Sequence, residues 1–168
     1  MARSRKRTRR PRIHLTRERI LATSAQVFNR RGYRGTTLDD IARALGVTKA
    51  ALYYYVKNKE EILFLCHQVA VDIAMDGFRR AWTVPAPLDD QLHIALTHYI
   101  EAMADQLKGT VVLLEQGSLS PRLHARIVEL RDEYERTLRG VIAQGIEAGV
   151  FAPCDPKIVG FALLGALH

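Results

Sequence analysis

The chain has 168 residues, 48% of them apolar, enough to bury one substantial core, and a formal net charge of +7. Residues 1–12 carry seven positive charges, 13–60 a net +5 and 61–168 a net −5, so a polyanion partner is expected at the front only. Two cysteines, Cys66 and Cys154, exclude a disulfide framework or a cysteine metal cluster and point to a reducing cytoplasm. The basic start leads into RIHLTRERI, which lacks the apolar run of a secretory signal, and IVGFALLGAL falls short of the about 20 apolar residues that span a bilayer.

Residues 1–12 form a basic arm with Pro11 and no hydrophobic periodicity. Such an arm is expected to be disordered in the free protein and able to order on a nucleic acid. From Thr16 the pattern turns helical: Ile20, Leu21, Ser24, Ala25, Val27 and Phe28 share one broad face, and Gly32 is placed to end the helix. Thr37 is a good N-cap with Asp40 three residues on, and Leu38, Ile41, Ala42 and Leu45 form the stripe of a second helix stopped by Gly46. Thr48 caps a third helix, with Val47 placed to staple onto Leu52. Asn58 caps a fourth, with Glu61 completing a capping box, and that helix is predicted to run to about Trp82.

The segment VPAPLDD ends it. A mostly apolar helix is predicted over 88–107, and another over 122–149 with Ile127, Leu130, Tyr134, Leu138 and Val141 inward. Asp155-Pro156 pairs an N-cap with proline at the first helical position and opens a last helix. No strand pattern or internal repeat is visible, so the fold is expected to be all-α. The chain stops inside the apolar run IVGFALLGALH without a stop signal, as expected of a portion of a longer chain.

The second and third helices, joined through Leu45-Gly46-Val47-Thr48, have the layout of a helix-turn-helix. A third helix of about eight residues is ~12 Å long and fits a major groove about 12 Å wide. Leu52 and Val56 face back toward Leu45, which leaves Lys49, Ala50, Tyr53 and Tyr54 on the outer side. Three consecutive tyrosines cannot share one core face, and a phenol offers a hydroxyl to phosphate or base edge and a ring to a thymine methyl. Tyr55 can stand against a phosphate or pack on the first helix. For the triplet as a whole, core and boundary packing is the competing reading.

Residues 16–63 resemble the DNA-binding domain of TetR-type transcriptional regulators. The resemblance rests on Arg31-Gly32-Tyr33, Thr36-Thr37-Leu38-Asp39-Asp40-Ile41-Ala42, Leu45-Gly46-Val47-Thr48-Lys49 and Leu52-Tyr53 through Lys59-Glu60, at the family's spacing. It implies that Lys49, Ala50, Ala51, Tyr53 and Tyr54 line the DNA-reading face behind the Thr48 cap, and that Thr36, Thr37, Tyr55 and Lys59 hold phosphates. Lys59 suits this physically, standing at a helix N-terminus whose amides also favour anions. Its competing reading is an ordinary solvated lysine.

The resemblance divides the chain into the arm (1–12), a helix-turn-helix domain (13–60) and a helical ligand-binding and dimerisation domain (61–168). The rear part resembles, more loosely, members that sense acyl-CoA-type lipids. Phe78, Trp82, His93, Leu96, Tyr99, Met103, Leu113 and Leu114 are candidate lining residues there, each competing with a plain core role. Further helices after residue 168 are also implied by the family. In the last helix, Gly160, Ala162, Gly165 and Ala166 permit close approach of a partner.

His93 and His98 do not share a helix face well and are rejected as a metal pair. The acids Glu129, Asp132 and Glu133 stand among Arg122, Arg126, Arg131, Arg136 and Arg139 and read as surface pairs. No phosphate loop or activated nucleophile stands out, so neither enzyme nor cofactor is expected. The expectation is a homodimeric, cytoplasmic regulator, a repressor released from a pseudo-palindromic double-stranded operator by a small hydrophobic ligand. The rival is a constitutive DNA-binding module whose rear domain only dimerises.

Overall fold

The computed structural model describes residues 15–104 and 115–167, and these are helical with no strand among them. The helices are α1 (Arg17–Arg31), α2 (Leu38–Leu45), α3 (Lys49–Tyr53), α4 (Lys59–Trp82), α5 (Leu88–Ala102), α6 (Pro121–Glu147) and α7 (Pro156–Leu167), with a short 3-10 turn at Glu115–Ser118 before α6. The basic arm, the end of the predicted 88–107 helix, Leu113 and Leu114 lie outside the described residues.

Local capping sets the front of the molecule. The Thr16, Thr37, Thr48 and Asn58 side chains each accept a hydrogen bond from an amide three residues on. At Thr37 the capping box is complete, because the Asp40 carboxylate also accepts from the Thr37 amide at 3.0 Å. At Asn58 it is not: Glu61 turns its carboxylate to the Lys57 amide at 2.6 Å, one residue earlier than the box requires. Gly46 closes α2 in the left-handed region at φ 73°, which a side chain would strain, and lets the chain turn directly into α3.

Helix α3 has five residues, shorter than the eight expected. The amides of Tyr55 and Val56 both converge on the Leu52 carbonyl at 3.0 and 3.1 Å, which tightens the last turn and takes Tyr54 and Tyr55 out of the regular helix.

One buried cluster runs the length of the molecule. Ile20, Leu21, Ala25 and Phe28 of α1 meet Ile41, Ala42 and Leu45 of α2, Leu52, Val56, and the start of α4. At 24 residues, α4 is ~36 Å long and reaches from this front core to the rear one. There Ala74, Phe78 and Ala81 pack with Ala95 and Tyr99 of α5 and Ile127, Tyr134 and Leu138 of α6. Gly77 is the close approach of α4 and α5, since a Cβ on it would stand 2.6 Å from the Ala95 carbonyl oxygen.

Gly160 of α7 faces Leu138 of α6 in the same chain, so it is not part of a surface for a partner. Ala162, Gly165 and Ala166 are exposed, beside exposed Ile158 and Phe161.

Candidate DNA-binding surface and effector region

Burial of Leu52 and Val56 in the core fixes the rotation of α3. Tyr54 is then 86% exposed, Tyr53 50% and Tyr55 42%. The Tyr55 ring meets Tyr54 edge to face at 5.3 Å and is not buried in the core. Ala50 is exposed and Ala51 half-buried on the same short helix. The Lys49 ammonium donates to the Asp39 carboxylate at 2.8 Å, which raises its pKa and ties the start of α3 to the first turn of α2. Two hydroxyl-bearing rings, a cation and a small-residue patch therefore face solvent together.

Three residues expected to hold phosphates are engaged internally. Thr36 is 1% exposed, and its hydroxyl donates to the Gly32 carbonyl at 2.8 Å, so the side chain faces the core. The Thr37 hydroxyl accepts from the Asp40 amide and donates to the Asp40 carboxylate at 2.7 Å, which leaves its polar atoms inside the cap. The Lys59 ammonium donates to the Tyr33 and Thr36 carbonyls at 2.8 and 2.9 Å and lies 4.2 Å from the centre of the Tyr33 ring. Burial lowers its pKa. The half-buried Lys59 ammonium is thus turned inward and holds the α1–α2 loop to the start of α4.

Other cations stand outside. Arg30, Arg31, Arg34, Arg43 and Lys57 are exposed on the front domain. Arg31 and Arg43 both reach the Asp40 carboxylate, at 2.7 and 3.1 Å. The Thr37 hydrogen bonds first, then these two charges, lower Asp40 to about 2. Apart from Arg31 in the Arg31-Gly32-Tyr33 motif, the net +5 of the front segment was the sign of these side chains in the sequence.

The rear candidates divide by helix phase. Tyr99 and Met103 follow Ala95 at intervals of four and are buried, and Leu96 is half-buried. His93, two residues before Ala95, points away and is exposed. Trp82, at the end of α4, is 53% exposed yet stacks on buried Phe78 with centroids 6.0 Å apart. Phe78 leads to Tyr134 at 5.6 Å, and Tyr134 to Tyr99 at 6.5 Å. A groove of about 720 Å³ opens elsewhere, between α1 and α4, and none of the six predicted ligand residues that are described lines it.

Two polar side chains interrupt this core. His67 of α4 is fully buried on the face that carries Leu63, Ala70 and Ala74. Arg131 of α6 is half-buried, four residues from Ile127 and three from Tyr134, so it does not belong to a surface pair as its neighbours suggested. Its guanidinium lies 3.4 Å from His67 Nδ1. A basic residue at an apolar stripe position was the available signal for it.

Among the described residues, no group of three His, Cys, Asp or Glu side chains could hold a metal ion, and no helix is long and apolar enough to cross a membrane.

Comparison with known proteins meets this geometry. Residues 20–66 match the family of bacterial regulatory proteins, tetR family, and residues 85–168 match the tetracyclin repressor-like C-terminal domain. The chain belongs to the TetR family. PfmR of Thermus thermophilus, a TetR family transcriptional regulator, is similar to it with a TM-score of 0.79 and 33% identity, covering 89% of this chain and 82% of that one. AibR, solved in complex with isovaleryl coenzyme A and operator DNA, gives 0.77 and 29% over 90% of this chain and 84% of its own. The uncharacterized HTH-type transcriptional regulator YhgD of Bacillus subtilis (strain 168) is 24% identical over 86% of this chain and 76% of its own length. This TetR-family chain is accordingly a DNA-binding transcriptional regulator with an N-terminal helix-turn-helix domain and a helical C-terminal domain.

Proposed function

We propose that the protein is a homodimeric repressor that binds a pseudo-palindromic operator through α3 and leaves it when a small, largely apolar ligand enters the helical domain. The observation that carries the DNA-reading part is the exposure of Tyr53 and Tyr54 beside Lys49, while Leu52 just before them is buried. Large rings held out in water by a short capped helix make sense against base edges and thymine methyl groups. Tyr55 and the exposed arginines supply phosphate contacts that position the helix without reading sequence. The ligand part draws on AibR, whose complex contains both an acyl coenzyme A and operator DNA.

A ligand can release DNA only by binding the DNA-free state more tightly, and a 100-fold release needs about 2.7 kcal/mol of such preference. The test is selection of bound fragments from a genomic DNA pool, then titration of the recovered operator with apolar ligands. A two-fold site with half-sites about 34 Å apart or a multiple is expected. Equal ligand affinity with and without operator would reduce the rear domain to a scaffold and favour the constitutive rival.

A further inference from the structure

Four acids lie between residues 13 and 60, Glu18, Asp39, Asp40 and Glu60, and three of them have a place in the fold. Glu18 bonds at the Thr16 cap of α1, Asp40 completes the Thr37 capping box, and Glu60 accepts from the Ser120 amide. Asp39 is exposed, and among the described residues its side chain bonds to the Lys49 ammonium at 2.8 Å. That ammonium belongs to the reading surface: Asp39 first, then Tyr53 one turn further along α3, raise its pKa.

A carboxylate at this place opposes the binding of DNA of any sequence. It repels phosphates, and it cancels the Lys49 charge that would otherwise attract one. Both side chains are about half exposed, so the pair contributes little to stability. What it offers is a fixed acceptor beside a fixed donor on the surface that faces base edges.

We propose that Asp39 and Lys49 together read one G·C base pair in each half-site. This deepens the operator-binding reading and rests on it. On the major-groove edge of a G·C pair, the guanine O6 acceptor and the cytosine N4 donor are bonded to each other, about 2.9 Å apart. The ammonium and carboxylate stand 2.8 Å apart in the complementary sense, donor against O6 and acceptor against N4. The ammonium has a further N–H for guanine N7. With the pair turned round, or with adenine in guanine's place, acceptor meets acceptor and donor meets donor. With thymine in guanine's place the central acceptor and donor return, but a methyl group replaces N7 and adenine N7 faces the carboxylate. Only G·C satisfies both side chains.

The experiment recovers preferred duplexes from a randomised DNA library with the full chain, then replaces each base pair of the preferred site in turn. Anisotropy titrations should show one position per half-site where any replacement of G·C weakens binding about tenfold. Asp39→Ala and Lys49→Met should abolish the preference at that position and keep it elsewhere. Asp39→Asn keeps an acceptor and should retain part of it, and Lys49→Arg should retain it, since arginine also bonds guanine O6 and N7. At the same position, N4-methylcytosine should weaken the parent more than Asp39→Ala, and 7-deazaguanine should weaken the parent more than Lys49→Met. On scrambled duplex, Asp39→Ala should bind tighter than the parent, with a log-log salt slope steeper by about 0.9 because Lys49 is released to a phosphate. Circular dichroism confirms that each variant folds. If Asp39→Ala weakens both duplexes alike, the pair only supports the fold; if it strengthens both by one factor, only net charge is felt. Either result overturns the base-pair reading. A preferred site with no position coupled to Asp39 also overturns it and leaves the operator-binding regulator standing, whereas the absence of any preferred duplex sinks both.

Discussion

The Glu60 carboxylate accepts a hydrogen bond from the Ser120 amide at 2.6 Å across 60 positions of sequence. It joins the first turn of α4 to the residue before α6, and the bonding to Ser120 lowers the Glu60 pKa. One residue earlier, Lys59 holds the α1–α2 loop. Adjacent side chains thus tie the front domain and the rear domain to the same helical turn.

Glu60→Ala should cut the rear tie alone. The partly solvated bond contributes little to stability, under ~1 kcal/mol. Ligand affinity should be retained while ligand-driven release of the operator falls several-fold. Fluorescence anisotropy of labelled operator with increasing ligand measures this. Release that remains as steep as in the parent would make the Glu60–Ser120 bond incidental to coupling.

Lys59→Gln should act on the fold of the helix-turn-helix. Hydrogen bonds to a charged donor are worth about 1.5–3 kcal/mol, and the two carbonyls of Tyr33 and Thr36 lose theirs. A lower Tm is expected, with weaker binding to operator and scrambled duplex alike. A phosphate contact instead contributes about 0.9 to the log-log salt slope. An unchanged Tm with the slope reduced by about one unit would return Lys59 to the DNA.

Tyr54→Ala and Leu52→Ala should separate reading from folding. The Tyr54 side chain is almost wholly solvated, so its removal should change stability by no more than about 0.5 kcal/mol. It should weaken operator binding by roughly 1–3 kcal/mol and leave scrambled DNA nearly unaffected. Leu52 is fully buried, and its truncation should cost about 2–5 kcal/mol of stability. Melting curves and competition binding for both variants check this; a Tyr54→Ala protein that melts early and keeps its preference would put that ring in the core.

Stability should fall with acid through His67. Its folded pKa is lowered from 6.5 to about 4, so between those values the unfolded chain binds the proton and the folded chain does not. Stability is therefore full above pH 6.5 and declines as pH falls toward 4, by ~1.4 kcal/mol per pH unit at most. Among the described residues, the groups whose charge acts on the ring are Arg131 and His124 of α6, with Tyr99 of α5 acting on Arg131. Urea midpoints between pH 7.5 and 4.5 should drop more steeply for the parent than for His67→Gln. Parallel lines would mean that the ring protonates without unfolding.

Gly77→Ala should disturb the rear core. The new Cβ meets the Ala95 carbonyl oxygen at 2.6 Å, and this neighbour is backbone that cannot rotate away. Helix α5 must shift, at a cost of about 1–3 kcal/mol. Thermal melts followed by Trp82 emission measure it, and an unchanged Tm would show that α5 moves freely against α4.

The caps at Thr37, Thr48 and Asn58 were legible in the sequence because each spans three residues and uses a side chain selected for its short polar reach. The same holds for the Leu52 and Val56 pair, whose spacing sets which rings of the tyrosine triplet face out. Family resemblance named the reading face on those residues. It did not reveal that Thr36 is buried or that Lys59 turns inward, because the groups receiving Lys59 are carbonyls 23 and 26 positions away. Nor did it separate Arg131 from the arginines around it, since its partner His67 lies 64 positions back on another helix. Helix ends and faces follow from local spacing; whether a cation meets water, a carbonyl or an imidazole depends on which helices pack together, and only the tertiary structure decided that.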